Sequence, residues 1–119
     1  MTETLFEKII KKDIPADIIY EDDISIVIKD INPQAPTHLL IIPKKVIPKL
    51  SDANQKDQAI LGHLMLVAGK ISRQLELDDT FRLIVNNGAK AGQSVFHLHL
   101  HLMSCLLYTS PSPRDEQSS

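Results

Sequence analysis

Gln93-Ser94-Val95-Phe96-His97-Leu98-His99-Leu100-His101-Leu102 is the stretch that decides how this chain folds. Strict alternation of two residue types is the period of a β-strand, where side chains two apart share a face at a spacing of about 7 Å. His97, His99 and His101 then project to one side, while Leu98, Leu100 and Leu102 enter the core on the other. A strand is expected over residues 95–103. Three adjacent imidazoles add nothing to packing, lose solvation and repel one another when charged. Such a row points to chemistry.

The segments around it supply the rest of the architecture. A small-residue loop, residues 87–92, precedes the histidine strand, and a further strand is expected over 80–86. Upstream, Ser51-Asp52-Ala53-Asn54 offers N-cap side chains for a long helix over 55–75. Its Ile60, Leu61, Leu64, Val67, Ala68, Ile71 and Leu75 form an apolar stripe at helical spacing. Residues 38–42 read as a strand covered on both faces and closed by Pro43. Two extended segments, 17–20 and 24–29, flank the polar turn Glu21-Asp22-Asp23 as a hairpin. Alternation of Ile24, Ile26 and Ile28 predicts one well-buried face for the second. A short amphipathic helix over 4–12 opens the chain, and Ile14-Pro15 ends it. The order helix, three strands, helix, two strands favours an α+β domain with antiparallel pairing over a doubly wound sheet.

Composition excludes several classes. The 119 residues are 43% apolar, enough for the core of one domain. Thirteen basic against fifteen acidic residues, a net charge of −2, exclude a strongly basic nucleic-acid binder. Only 4% of residues are aromatic, which leaves few stacking platforms for single strands. No apolar run is long enough to span a membrane, and the charged start MTETLFEKIIKKD lacks the uninterrupted apolar stretch of a signal peptide. The expected location is the cytoplasm. Its one cysteine, Cys105, permits no internal disulfide.

At the level of residues, two chemistries compete for the histidines. A His-x-His pair on a strand can supply two zinc ligands, with His38 as a third. The outer two are about 14 Å apart along a strand, so all three cannot share one ion. In the other reading a central imidazole attacks phosphorus while its neighbours bind the anion and move protons. Histidine suits that work because its pKa near 6.5 lets one ring act as a neutral base beside another that donates. The loop Asn86-Asn87-Gly88-Ala89-Lys90-Ala91-Gly92-Gln93-Ser94 offers small residues and backbone N–H groups able to cradle a phosphate, and it tilts the reading toward phosphorus. His63 on the long helix and Lys44-Lys45 after Pro43 read as packing and solvated surface.

The sequence resembles the histidine-triad (HIT) superfamily, and within it the Hint branch of nucleotide-binding phosphoramidases, over about residues 4–104. The likeness is carried by Phe6-Glu7-Lys8-Ile9-Ile10, Ile14-Pro15-Ala16, Tyr20-Glu21-Asp22, the segment from Asp30-Ile31-Asn32-Pro33 to Thr37-His38, Ile42-Pro43-Lys44-Lys45, Asn86-Asn87-Gly88, Gly92-Gln93-Ser94-Val95 and the triad. The resemblance implies a HIT-like α+β fold, a five-stranded sheet with a short N-terminal and a long central helix. It implies that His99 is the nucleophile that attacks the α-phosphorus and becomes nucleotidylated. His101 would contact the phosphate and help the leaving group, His97 would orient the central imidazole, and His38 would complete the hydrogen-bond network behind. Asp30 would hold the ribose hydroxyls and Ile31 would wall the purine. Asn86, Gly92, Gln93, Ser94 and Val95 would line the nucleotide, with Ser94 near the leaving group.

No metal or other cofactor is obligatory in that reading. The implied ligand is a purine nucleotide of the AMP or GMP type, and neither nucleic acid nor membrane is a partner. A homodimer joined through the long helix and a central strand into a ten-stranded sheet is also implied, and the run Leu61-Gly62-His63-Leu64-Met65 suits such a face. Rival functions are a dinucleoside polyphosphate hydrolase of the same superfamily and a non-catalytic nucleotide-binding module. From Cys105 onward the family pattern stops. The HIT domain is therefore expected to occupy 1–104, and 105–119 reads as a disordered, non-family tail resembling a translated sequencing adapter, with the dimer weakened by the missing C-terminus.

Overall fold

A computed structural model describes residues 2–104 of the chain; the expectation about 105–119 lies outside them. Helix α1 spans Leu5–Ile10 and is followed by strands β1 (Ile18–Glu21), β2 (Ser25–Lys29) and β3 (Thr37–Pro43). Helix α2 spans Gln58–Gln74, and strands β4 (Arg82–Ile84) and β5 (Leu100–Ser104) complete the order. The five strands form one antiparallel sheet in the order β1-β2-β3-β5-β4. This is the α+β architecture expected.

Each helix covers one face of the sheet. On one side Leu64, Val67, Ala68 and Ile71 of α2 pack with Val27, Leu39, Ile41, Leu98, Leu100 and Leu102. On the other, Phe6 and Ile9 of α1 pack with Ile26, Ile28, Leu40 and Ile42. Burying each of the Val, Leu, Ile and Phe side chains among these contributes roughly 1.5–3 kcal/mol. Two faces, each with its own helix, explain why β2 is buried from Ser25 through Ile28 rather than on one face only, as alternation predicts. Its odd and even positions both find cover.

Other boundaries shift for local reasons. Helix α2 begins at Gln58, not 55, because Gln55–Asp57 winds as a 3₁₀ turn. Asn54 caps that turn by accepting from the Lys56 N–H, and the Asp57 carboxylate accepts from the Asn54 N–H in return. Strand β5 begins at Leu100, not 95. Its register with β3 pairs Ile41 with Leu100, so the next partners would run into Pro43, which has no N–H to extend the ladder. Leu98 instead donates its N–H to the Ile47 carbonyl. Strand β4 pairs only Arg82–Ile84 with the far side of β5. The helical run nominated for a dimer face is split: Leu64 is core, whereas Met65 is 55% and its neighbour Leu66 is 76% exposed.

Candidate active site

The β3–β5 register places Leu40 opposite His101 and Met103 opposite His38. His38 and His101 are therefore diagonal neighbours on the face that α1 covers. Although β5 begins at Leu100, the alternation persists through the irregular residues before it. Leu98 enters the core on the α2 side, and His97 and His99 are buried on the other. Phe6 of α1 meets both rings edge-on, with centroids 5.8 Å from His97 and 4.9 Å from His99. His99 in turn lies 5.1 Å from His101, centroid to centroid.

Hydrogen bonds assign a tautomer to each ring, because a carbonyl only accepts and an N–H only donates. Nδ1 of His99 lies 2.8 Å from the His97 carbonyl oxygen, so Nδ1 carries the proton and Nε2 keeps its lone pair. The Gln34 N–H donates to Nδ1 of His38 at 2.9 Å, so the His38 proton is on Nε2. That Nε2–H faces Nδ1 of His101 at 2.9 Å and the Asp30 Oδ2 at 3.3 Å. His101 Nδ1 accepts, and its proton is on Nε2. His97 donates from Nε2 to the Pro43 carbonyl at 2.7 Å and receives the Thr4 hydroxyl at Nδ1, 2.9 Å away. The array thus sets a bare ring nitrogen on His99 beside a ring N–H on His101.

Burial lowers the pKa of His97, His99 and His101 below the ordinary histidine value. For His101, repulsion by His99 and His38 adds to burial. All three are held neutral near pH 7, which is the state the tautomers require.

His99 and His101 open onto a cleft of about 320 Å³ that Asp30, Ile31, Ser94 and Val95 also line. Its other wall is apolar, built from Leu5, Phe6, Ile9, Ile14, Ile28 and Leu40. Ile31 is 89% exposed at the rim. Asp30 accepts the Asn32 N–H on Oδ1 at 2.8 Å, which steadies the carboxylate at the cleft edge. The slot thus joins an apolar wall to a carboxylate and two imidazoles.

Not every residue nominated from sequence reaches this cleft. His38 and His97 stand behind the lining, where they hold the other two rings. Asn86 and Gly92 are absent from the lining. Gly92 ends the 3₁₀ turn Ala89–Ala91 at φ 103°, a left-handed conformation that glycine adopts without strain. Gln93 departs furthest from its expected place beside the phosphate. It is 3% exposed, and its amide donates to the Pro48 and Val95 carbonyls and accepts the Gly88 N–H. It staples the loop that presents Ser94. Among the described residues, the donor atoms of Asp30, His38 and His101 lie within 4.8 Å of one another. His38 Nε2 there holds a proton rather than a free lone pair, so the site is wired for hydrogen bonding, and the His-x-His zinc pair is not the grouping that forms. His63 pairs with Asp22, Lys44 with Glu21 and Lys45 with Asp57, all outside the lining of the cleft.

Thr4 and Phe6, placed by the sequence only on the opening helix, prove to touch the site. Thr4-Leu5-Phe6-Glu7 does carry the capping-box signature, and both reciprocal bonds form. That pattern marks a helix start without saying what lies across from it.

Comparison with known proteins follows the same line. The family model for the HIT domain matches residues 11–105. An uncharacterized HIT-like protein of Synechocystis sp. is 55% identical over 101 residues, covering 85% of this chain and 89% of the relative. The purine nucleoside phosphoramidase of Escherichia coli (strain K12) is 46% identical over 102 residues, covering 85% and 86%. The crystal structure of a HIT family hydrolase from Legionella pneumophila Philadelphia 1 superposes with a TM-score of 0.86 at 41% identity, over 92% of this chain and 98% of that one. A HIT family hydrolase from Clostridium thermocellum gives 0.85 at 42%, over 95% and 96%.

Proposed function

The chain belongs to the HIT domain family, and on that premise we propose that it hydrolyses phosphoramidate-type bonds of purine nucleoside monophosphates through a nucleotidyl-His99 intermediate. The observation that carries this reading is the complementary pair of tautomers, a lone pair on His99 Nε2 next to an N–H on His101 Nε2. The similarity to the Escherichia coli phosphoramidase supports the choice of bond.

Asp30 at the cleft edge is a fitting acceptor for the two ribose hydroxyls, and the apolar wall receives the base. His99 Nε2 puts its lone pair on phosphorus as the P–N bond breaks, and the electron pair stays on nitrogen. Protonated by solvent at the open mouth of the cleft, the nitrogen leaves as an amine. Water then attacks the nucleotidyl-His99, releases its proton to solvent and returns the ring nitrogen with its lone pair. A neutral His101 is a poor acid but a good hydrogen-bond donor. Its work is to stabilise charge on the phosphoryl oxygens, the main demand of such a transition state. No metal is required in this scheme.

Turnover of an adenosine phosphoramidate by the wild type and by His99→Ala tests the proposal, with mass spectrometry of the quenched protein to trap the adduct. The expected outcome is release of amine and nucleotide by the wild type only, with one nucleotidyl group on the protein. Equal turnover by both proteins, or hydrolysis of dinucleoside polyphosphates in place of the phosphoramidate, overturns it.

The reading includes a homodimer. The exposed Met65 and Leu66 on α2 are the supporting observation, together with the edge position of β4 in the sheet. Sedimentation of the wild type should give the mass of two chains, and Leu66→Glu should shift it to one.

A further inference from the structure

His97 lies three residues before the first residue of β5, outside the ladder that holds Leu100–Ser104. Its carbonyl nevertheless has to stay in place, because it is the acceptor that gives His99 its tautomer. What fixes His97 is its own ring, pinned at both ends. Nε2–H donates to the Pro43 carbonyl at 2.7 Å, and Nδ1 receives the Thr4 hydroxyl at 2.9 Å across 93 residues of sequence.

Thr4 is suited to this by its second task. It is the N-cap of α1, where its Oγ1 accepts the Glu7 N–H at 3.0 Å while its own N–H donates to Glu7 Oε1 at 2.8 Å. The cap occupies a lone pair of the hydroxyl and orients it, which leaves the O–H proton for His97. Phe6, two residues further on, meets both His97 and His99 edge-on. The first turn of α1 therefore grips the triad from outside the sheet. His97 is fully buried, so an Nδ1 left without its donor has no water to turn to.

We propose that Thr4 is a positioning residue of the triad, whose hydroxyl holds the His97 ring in its Nε2–H form and thereby keeps the His97 carbonyl aimed at His99. The inference rests on the reading of His99 as nucleophile and adds a group outside the triad on which that nucleophile depends.

Nitrogen-15 NMR of the histidine rings reads the tautomer directly, alongside kcat and KM for the phosphoramidate. In the wild type and in Thr4→Ser, His97 is expected to show a bare Nδ1 and a protonated Nε2, with similar kcat. Thr4→Val should give mixed His97 tautomers and a fall in kcat of about tenfold, the size of one lost hydrogen bond, with little change in KM. Should Thr4→Val fail to fold, Thr4→Asp keeps a strong N-cap but has no proton to give. It is expected to fold, to leave His97 protonated at Nδ1 and to lose kcat likewise. Wild-type kcat with an unchanged His97 signal in either variant overturns the proposal and reduces Thr4 to a helix cap. A wild type silent toward the phosphoramidate would defeat the functional reading instead, and the ring signals would still decide the role of Thr4.

Discussion

Nε2 of His38 lies 2.9 Å from Nδ1 of His101, joining two strands adjacent in the sheet but 63 residues apart in sequence. Because the Gln34 N–H occupies the far side of His38, the proton between the two rings has one place to be. His38 thus sets which nitrogen of His101 faces the cleft with a hydrogen. Replacing it by leucine keeps the bulk and removes the donor. His38→Leu is expected to fold, to lower kcat about tenfold or more, and to move KM little, since the lost bond acts on charge stabilisation rather than on binding. Steady-state kinetics on the phosphoramidate with a thermal melt as control checks this.

Acid should affect activity and stability in the same direction. Burial holds the pKa of His99 below the ordinary 6.5, so the neutral imidazole that the proposed mechanism uses persists somewhat below that pH and is lost as pH falls further. A pH–rate profile should show its acid limb on the acid side of 6.5. The unfolded chain binds protons more readily at these rings than the folded one. Folding free energy is therefore fully present above about 6.5 and is lost as pH falls through the depressed folded values of His97, His99 and His101. Urea midpoints measured between pH 8 and pH 5, flanking the histidine range, should decline toward acid.

Gln93 offers a test of how the loop before the triad is held. In Gln93→Glu the side-chain oxygen can still accept the Gly88 N–H, but a carboxylate oxygen then faces the Pro48 and Val95 carbonyls that the amide served. A buried charge against two acceptors is expected to cost about 2–4 kcal/mol, visible in chemical denaturation. Because Val95 follows Ser94, KM should rise as well.

Asp22 ties the hairpin to α2. Its carboxylate accepts from the Ile24 and Ser25 N–H groups, the Tyr20 hydroxyl and His63. Burial disfavours the charge, yet these bonds overcome it and hold the pKa well below the ordinary carboxylate value. Its stabilisation is present above 3.8 and is lost as pH falls through the depressed value. Asp22→Asn should cost about 1–2 kcal/mol at pH 7 and little in acid, by denaturant titration at both.

The histidine row shows why some of this was readable in advance. Period two is a property of the backbone, so Leu98, Leu100 and Leu102 sort from the histidines even where the ladder has stopped. The stripe on α2 was legible for the same reason, since its inward positions are those of a helix face. What alternation cannot report is a partner distant in sequence. The two-sided burial of β2 depends on α1 crossing the opposite face from α2, and the Thr4–His97 bond depends on where that crossing starts. The inward bonds of Gln93 were hidden for a different reason. Loop residues have no period, and an amide reads the same whether it faces a ligand or the chain.

The position of β5 in the sheet has a consequence for how the protein is made. It follows β4 in the chain but lies between β3 and β4, bonded to both. On a ribosome β1, β2 and β3 can pair as they emerge, each with its predecessor, whereas β4 arrives with no neighbour and must wait. Only the last strand described closes the sheet, and it is the strand that brings His101 to His38. A nascent chain halted before β5 would lack the His38–His101 pair and would offer two open edges, one of them the core strand β3. Assembly of the histidine cluster and closure of the sheet edges therefore arrive together, in a single event.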